Sequence, residues 1–188
     1  MCMLDTISAK RDEIYAAAND AAVAFVAFCL ESYKTRHALS GDESARIFCR
    51  YGVGDYLLEG YDILHSFGER QILDDIDRFI EVRKQKEAQN AQAFRPDSLP
   101  LPGGSRLPQV HSFGDRDMAE ITQSNLHLIL HWKTAGMAEL WAHDLGITPL
   151  EALMRLYSTD FYRRLEDEST KLWTNSPEQL YILFREAA

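Results

Sequence analysis

Two histidines one helical turn apart, His127 and His131, would project from one face of a helix, a spacing able to ligate zinc. The acid that a helical zinc-protease motif sets directly after its first histidine is missing, since Leu128 stands there. His143 lies too far along the helix to complete such a site locally. Asp74, Asp75 and Asp77 are a second set of chemical groups, suited to a cation or to acid–base work. Arg78 and Glu81 share their surface, and a solvated helix face with local ion pairs, Asp74 with Arg78, is the simpler reading. His65 has the chemistry of a general base, but no nucleophile or orienting group is assignable to it. A half-buried ring whose polar edge meets the backbone is the plainer account. The chain carries no glycine-rich phosphate loop, nucleophile elbow or Cys/His catalytic spacing. No catalytic residue, metal or cofactor is therefore assigned.

The elements that would position these groups are helical throughout. Ile7, Ile14, Ala18, Ala22, Phe25 and Cys29 recur at helical steps, and from Ala21 to Leu30 the text is apolar nearly all round, as in a central core helix. Ser40-Gly-Asp-Glu43 is a capping box, and Gly52 is placed to end the helix it starts. Tyr61 to Gly68 reads as an irregular or weakly extended connector. Ile72, Leu73, Ile76, Phe79 and Ile80 mark the next amphipathic helix. A long helix is expected from about Asp115 to Asp144, interrupted at Ser124-Asn125. Thr148-Pro-Leu-Glu151 is a second capping box, with proline at the first helical position, and Ser176-Pro-Glu-Gln179 starts the last helix. No stretch alternates with period two, so the fold class is all-α.

Leu39 set against Ile147 aligns the two ends without a gap. Ser40 to Glu43 falls on Thr148 to Glu151, Leu57 on Leu165, Leu64 on Leu172, His65 on Trp173, Ile72 on Leu180 and Ile76 on Phe184. A recurrence at one offset points to a diverged tandem repeat. The expected organisation is two related small helical bundles, a first module over 1–91 and a second over 115–188. A Pro/Gly-rich linker over 92–114 joins them. Separately, His65-Ser-Phe-Gly-Glu-Arg70 recurs as His111-Ser-Phe-Gly-Asp-Arg116, off the repeat offset.

Composition bounds the function. With 46% hydrophobic residues the chain can bury a core, and its formal charge is −9. Residues 1–91 hold 11 Lys+Arg against 16 Asp+Glu, and residues 92–188 hold 9 against 13, so both halves are acidic. That field disfavours nucleic acid and fits a basic partner surface better. Cys2, Cys29 and Cys49 are odd in number and lack C-x-x-C spacing, which suggests buried free thiols in a reducing compartment. No apolar run is long enough for a bilayer, and no basic region precedes an apolar one at the N-terminus. A cytoplasmic location without membrane contact is expected.

The text from Phe25 to Arg83 resembles a short bacterial family. The matching elements are Phe28-Cys-Leu-Glu31-Ser-Tyr-Lys34, Ser40-Gly-Asp-Glu43, Tyr51-Gly-Val-Gly-Asp-Tyr-Leu57, Tyr61-Asp-Ile-Leu-His65-Ser66 and Ile72-Leu-Asp-Asp-Ile76. The family is the bacterial domain of unknown function numbered 3791. Residues 126–186 look like a second, diverged copy, with Trp173 in place of the histidine. The resemblance implies a small helical domain with no assigned catalytic residues. Its members often neighbour ADP-ribosyltransferase-like proteins of toxin type, which implies an antitoxin-like or regulatory partner role.

The function expected is therefore protein–protein interaction, with a protein partner that is ADP-ribosyltransferase-like. Tyr61, His65, Phe67 and Trp173 are the expected contact residues, because aromatics on irregular connectors dominate interface energy. The alternative is an enzyme with a site between the repeats near His65.

Overall fold

The computed structural model describes residues 20–92 and 121–187. Among these residues the chain is all-helical, as expected, and contains no strand. The first half comprises α1 (Asp20–His37), α2 (Gly41–Tyr51), α3 (Val53–Glu59), α4 (Tyr61–Leu64) and α5 (Glu69–Gln92). The second comprises α6 (His127–Leu145), α7 (Pro149–Tyr157), α8 (Asp160–Leu165), two 3-10 turns at Glu168–Thr170 and Leu172–Thr174, and α9 (Pro177–Ala187). The stripe from Ile7 to Ala18, Cys2, the linker beyond Gln92 and the string His111–Arg116 lie outside the described residues.

α1 owes its central place to its sequence. Val26, Ala27, Cys29 and Leu30 are wholly buried, and the one stripe with any access to water over this stretch is the half-buried Ala24, Phe25 and Phe28. Its main neighbour is α6. Ala135, Ala138 and Ala142 of α6 join Val26, Ala27 and Leu30 in one core, together with Phe48, Leu57 and Ile76 from the first half and Leu153, Tyr157 and Tyr162 from the second. Small alanines on α6 let the two helices approach closely, and each fully buried Leu or Val contributes about 1.5–3 kcal/mol. A second core gathers Leu130, Met137, Leu156, Leu165, Leu180 and Phe184, and Trp141 packs against both. The two halves thus share their interior.

The helix boundaries follow capping chemistry. The Ser40 hydroxyl accepts the Glu43 amide at 3.3 Å, and the Glu43 carboxylate accepts the Ser40 amide at 2.9 Å, closing the full box. Thr148 accepts the Glu151 amide at 3.2 Å, but Glu151 turns its carboxylate to Arg155 at 2.5 Å, so the second box closes on one side only. Ser176 and Gln179 bond reciprocally at 3.3 and 3.0 Å. Gly52 ends α2 at φ +62°, where its amide reaches the Cys49 and Phe48 carbonyls. Gly41 is required for a different reason: a Cβ there would stand 2.2 Å from the Tyr162 ring.

The structure corrects the sequence reading in four places. Tyr61–Leu64 is a helical turn rather than an extended connector, because the Leu64 and His65 amides reach the Gly60 and Tyr61 carbonyls. The long helix begins at His127. Asn125 Oδ1 takes the Thr122 amide at 2.7 Å, and Gln123 is tied to Glu166 and Glu168, which holds the preceding residues as turns. The stretch ending at Trp173 is organised as two 3-10 turns. Cys49 is exposed, whereas Cys29 is buried; both are free thiols.

Candidate functional site

The expected contact residues take different roles. The Tyr61 ring is half-buried and meets Phe25 edge-on at 5.7 Å. His65 is exposed rather than half-buried, and its ring stacks on Tyr61 at 4.7 Å. Its polar edge does meet the backbone, with Nδ1 donating to the Tyr61 carbonyl at 2.5 Å, so that Nε2 faces away from this bond. Ile63, between them in sequence, is 67% exposed. Phe67 is half-buried against the first core. Trp173 packs against the second core, donates its indole N–H to the Glu168 carbonyl at 3.2 Å and lies under the Lys171 ammonium. Tyr61 and Phe67 therefore rest on one core and Trp173 on another, and the four do not form one constellation.

Beside Phe67 a groove of about 430 Å³ runs along the start of α5, lined further by Gly68, Arg70, Gln71, Asp74, Asp75 and Arg78. His65 is not among its walls. The acids of this helix do not make the local pair expected with Arg78. Arg36 of α1 takes Asp74 at 2.5 Å and approaches Asp77 at 3.5 Å, while His37 Nε2 lies 2.9 Å from Asp77. Asp75 accepts the Tyr56 hydroxyl. Burial, then that hydrogen bond, pushes the Tyr56 phenol up to about 12.

His127 and His131 are both half-buried. His131 packs edge-on against Phe28 at 5.7 Å, and its burial lowers its pKa. Among the described residues no group of three or more His, Cys, Asp or Glu side chains gathers as a metal site would.

Sequence reasoning missed a connected, buried polar cluster centred on Glu31. Glu31 of α1 is fully buried. Its Oε1 accepts the hydroxyls of Tyr157 at 2.7 Å and Tyr162 at 2.6 Å, and its Oε2 lies 2.9 Å from Lys34 Nζ. Lys34 also donates to the Tyr162 oxygen at 2.5 Å and to Glu166 at 3.0 Å. Burial alone would lower the Lys34 pKa; the Glu31 and Glu166 carboxylates outweigh it and hold that pKa above the ordinary value. Burial, then the Glu31 charge, raises both tyrosines well above theirs. The signal was an acid and a lysine three residues apart at the end of an apolar run. Every group in the cluster has its partner inside the protein, so the cluster ties α1 to α7, α8 and the turn after α8.

Residues 24–83 match the family described as Protein of unknown function (DUF3791). No curated protein and no solved structure matches the chain. The DUF3791 segment runs from α1 into α5. It contains Glu31, Lys34, the Ser40 box, the Tyr61–Phe67 connector and both groove arginines. Tyr157, Tyr162, Glu166 and Trp173 lie outside it. Among the described residues no helix is long and apolar enough to cross a membrane.

Proposed function

We propose that this chain is a protein–protein interaction module whose contact surface is α4 and the connector that follows it, Tyr61 to Phe67. The observation that carries this reading is Ile63, which leaves two thirds of its surface in water on the same short helical segment that stacks His65 on Tyr61. An exposed β-branched aliphatic next to an amphipathic ring pair is the composition of an interface centre. Tyr61, His65 and Phe67 rim that centre; Trp173 supplies a separate contact in the second half. By the family resemblance the partner is an ADP-ribosyltransferase-like protein, and the chain acts as its antitoxin-like or regulatory partner in a bacterial cytoplasm.

The second half is, on this reading, a diverged copy of the first. In support, α2 and α7 begin 108 residues apart, as do α5 and α9, and Leu57 and Leu165 are both wholly buried. The copies pack with their long helices, α1 and α6, against each other.

The test is affinity capture with the tagged full chain in its native cell, the neighbouring gene product being assayed first. Ile63→Asp should lose the partner while the chain still melts cooperatively, because Ile63 contributes little to the core. Retention of every partner by that variant overturns the reading. A turnover that vanishes in His65→Ala, with the partner still held, would install the enzyme reading in its place.

A further inference from the structure

The groove beside Phe67 has an unusual charge pattern for a chain of net charge −9. Arg70, Asp74 and Arg78 are spaced by four residues and lie on one stripe of α5, where Asp74 would ordinarily serve one of its flanking arginines. Arg36 arrives from α1 and takes that carboxylate at 2.5 Å. Asp75, the other acid lining the groove, is engaged by the Tyr56 hydroxyl. Arg70 and Arg78 are left exposed with no carboxylate partner among the described residues; Arg83 and Arg164 also lack one, but Arg83 lies over the Phe79 ring and neither lines the groove, and the other described arginines are paired. Fixing both local acids elsewhere thus leaves two guanidinium forks in a groove that the Phe67 ring and the Gln71 amide also line. Guanidinium forks match carboxylates in geometry and bind them bidentately.

From this we infer that the groove receives an acidic segment of the protein partner, carrying an apolar side chain for Phe67 and two carboxylates for Arg70 and Arg78. The inference rests on the interaction reading above and adds the partner's chemistry. Eight residues of helix separate the two arginines by about 12 Å. An extended chain advances about 3.3 Å per residue and alternates its side chains, so acids four residues apart share a face and span that gap. The global acidity of this chain favours a basic partner at long range, so the groove selects at contact and not during approach.

The test uses the full chain and the peptide acetyl-Asp-Ala-Phe-Ala-Glu-amide, whose acids and phenylalanine share one face when extended, followed by NMR of the arginine Nε–H signals and the Phe67 and Gly68 amides. The acidic peptide should shift these signals saturably, and its counterpart with lysine at both acidic positions should not. R70E/R78E should weaken acidic-peptide binding about tenfold or more and begin to bind the lysine peptide. R70Q/R78Q serves should the reversed variant lose its cooperative melt, and it should weaken the acidic peptide without gaining the other. Equal response to both peptides, or no response to the acidic one, overturns the inference. So does saturation of the same signals by inorganic phosphate that leaves the peptide without effect, since the groove would then be a phosphate site. If Ile63→Asp loses the captured partner and R70E/R78E keeps it, the interaction reading stands and this inference alone falls.

Discussion

Ala38 and Gly146 hold the same left-handed backbone at the ends of the two central helices, with φ of +51° and +64°. In each case the next amide reaches back to close the helix, Leu39 to the Lys34 carbonyl at 3.0 Å and Ile147 to the Ala142 carbonyl at 3.1 Å. The second half uses the residue suited to this conformation, and the first half uses one that is strained in it. Left-handed geometry costs a residue with a Cβ roughly 1–2 kcal/mol, and the added freedom of glycine in the unfolded chain offsets part of the gain. Ala38→Gly should therefore stabilise the protein by about 0.5–1 kcal/mol in urea unfolding, and Gly146→Ala should destabilise it. A loss of stability in Ala38→Gly would contradict this account.

The helix starts should respond unequally to truncation. Ser40→Ala removes a hydroxyl that both accepts the Glu43 amide and donates to the Glu43 carboxylate at 2.8 Å, leaves the backbone arm of the box in place, and should cost about 1–2 kcal/mol. Thr148→Ala removes a single arm, since Glu151 already pairs with Arg155, and should cost about 0.5–1 kcal/mol. Thermal unfolding of the two variants side by side measures the difference. Equal losses would mean the bond from the Ser40 hydroxyl to the Glu43 carboxylate contributes nothing.

The buried cluster makes an alkaline signature. Lys34, Tyr157 and Tyr162 all have folded-state pKa values above their ordinary ones. For such groups the stabilisation is complete below the unfolded pKa, near 10, and disappears as pH rises through the folded value. Unfolding free energy should thus decline above about pH 10. The decline should be shallower in Tyr157→Phe/Tyr162→Phe, which removes two of the three titrations. Glu31→Ala should cost about 3–5 kcal/mol at neutral pH, because it removes the acceptor of the buried Tyr157 and Tyr162 hydroxyls and leaves Lys34 with Glu166 alone. A slope identical to that of the unsubstituted chain in the double phenylalanine variant would rule out this origin.

Local chemistry was readable and tertiary pairing was not. Ser40, Thr148 and Ser176 were identifiable as helix starts because a cap needs only residues three apart. Gly52 was identifiable as a stop for the same reason. Asp74 was assigned to Arg78 because the sequence displays the neighbour one turn away and hides Arg36, which arrives from another helix. Glu31 gave the same difficulty in stronger form: two of its partners, Tyr157 and Tyr162, are more than a hundred residues distant. The connector at Tyr61–Leu64 was misjudged because one helical turn is too short for periodicity to register. The candidate surface followed suit, since the aromatics Tyr61 and Phe67 were named for exposure and are half-buried, while Ile63 between them carries the exposed area.

The shared interior of α1 and α6 bears on the fate of damaged copies of this protein. Val26, Ala27 and Leu30 are wholly buried in a core that includes α6, so a chain halted before His127 would carry bare aliphatic surface where that helix belongs. Exposed surface of that kind is what chaperones and proteases recognise. Pulse–chase turnover of such a fragment should be far faster than that of the full chain. A premature stop codon late in the message would then act as a null allele, removing both halves from the cell together.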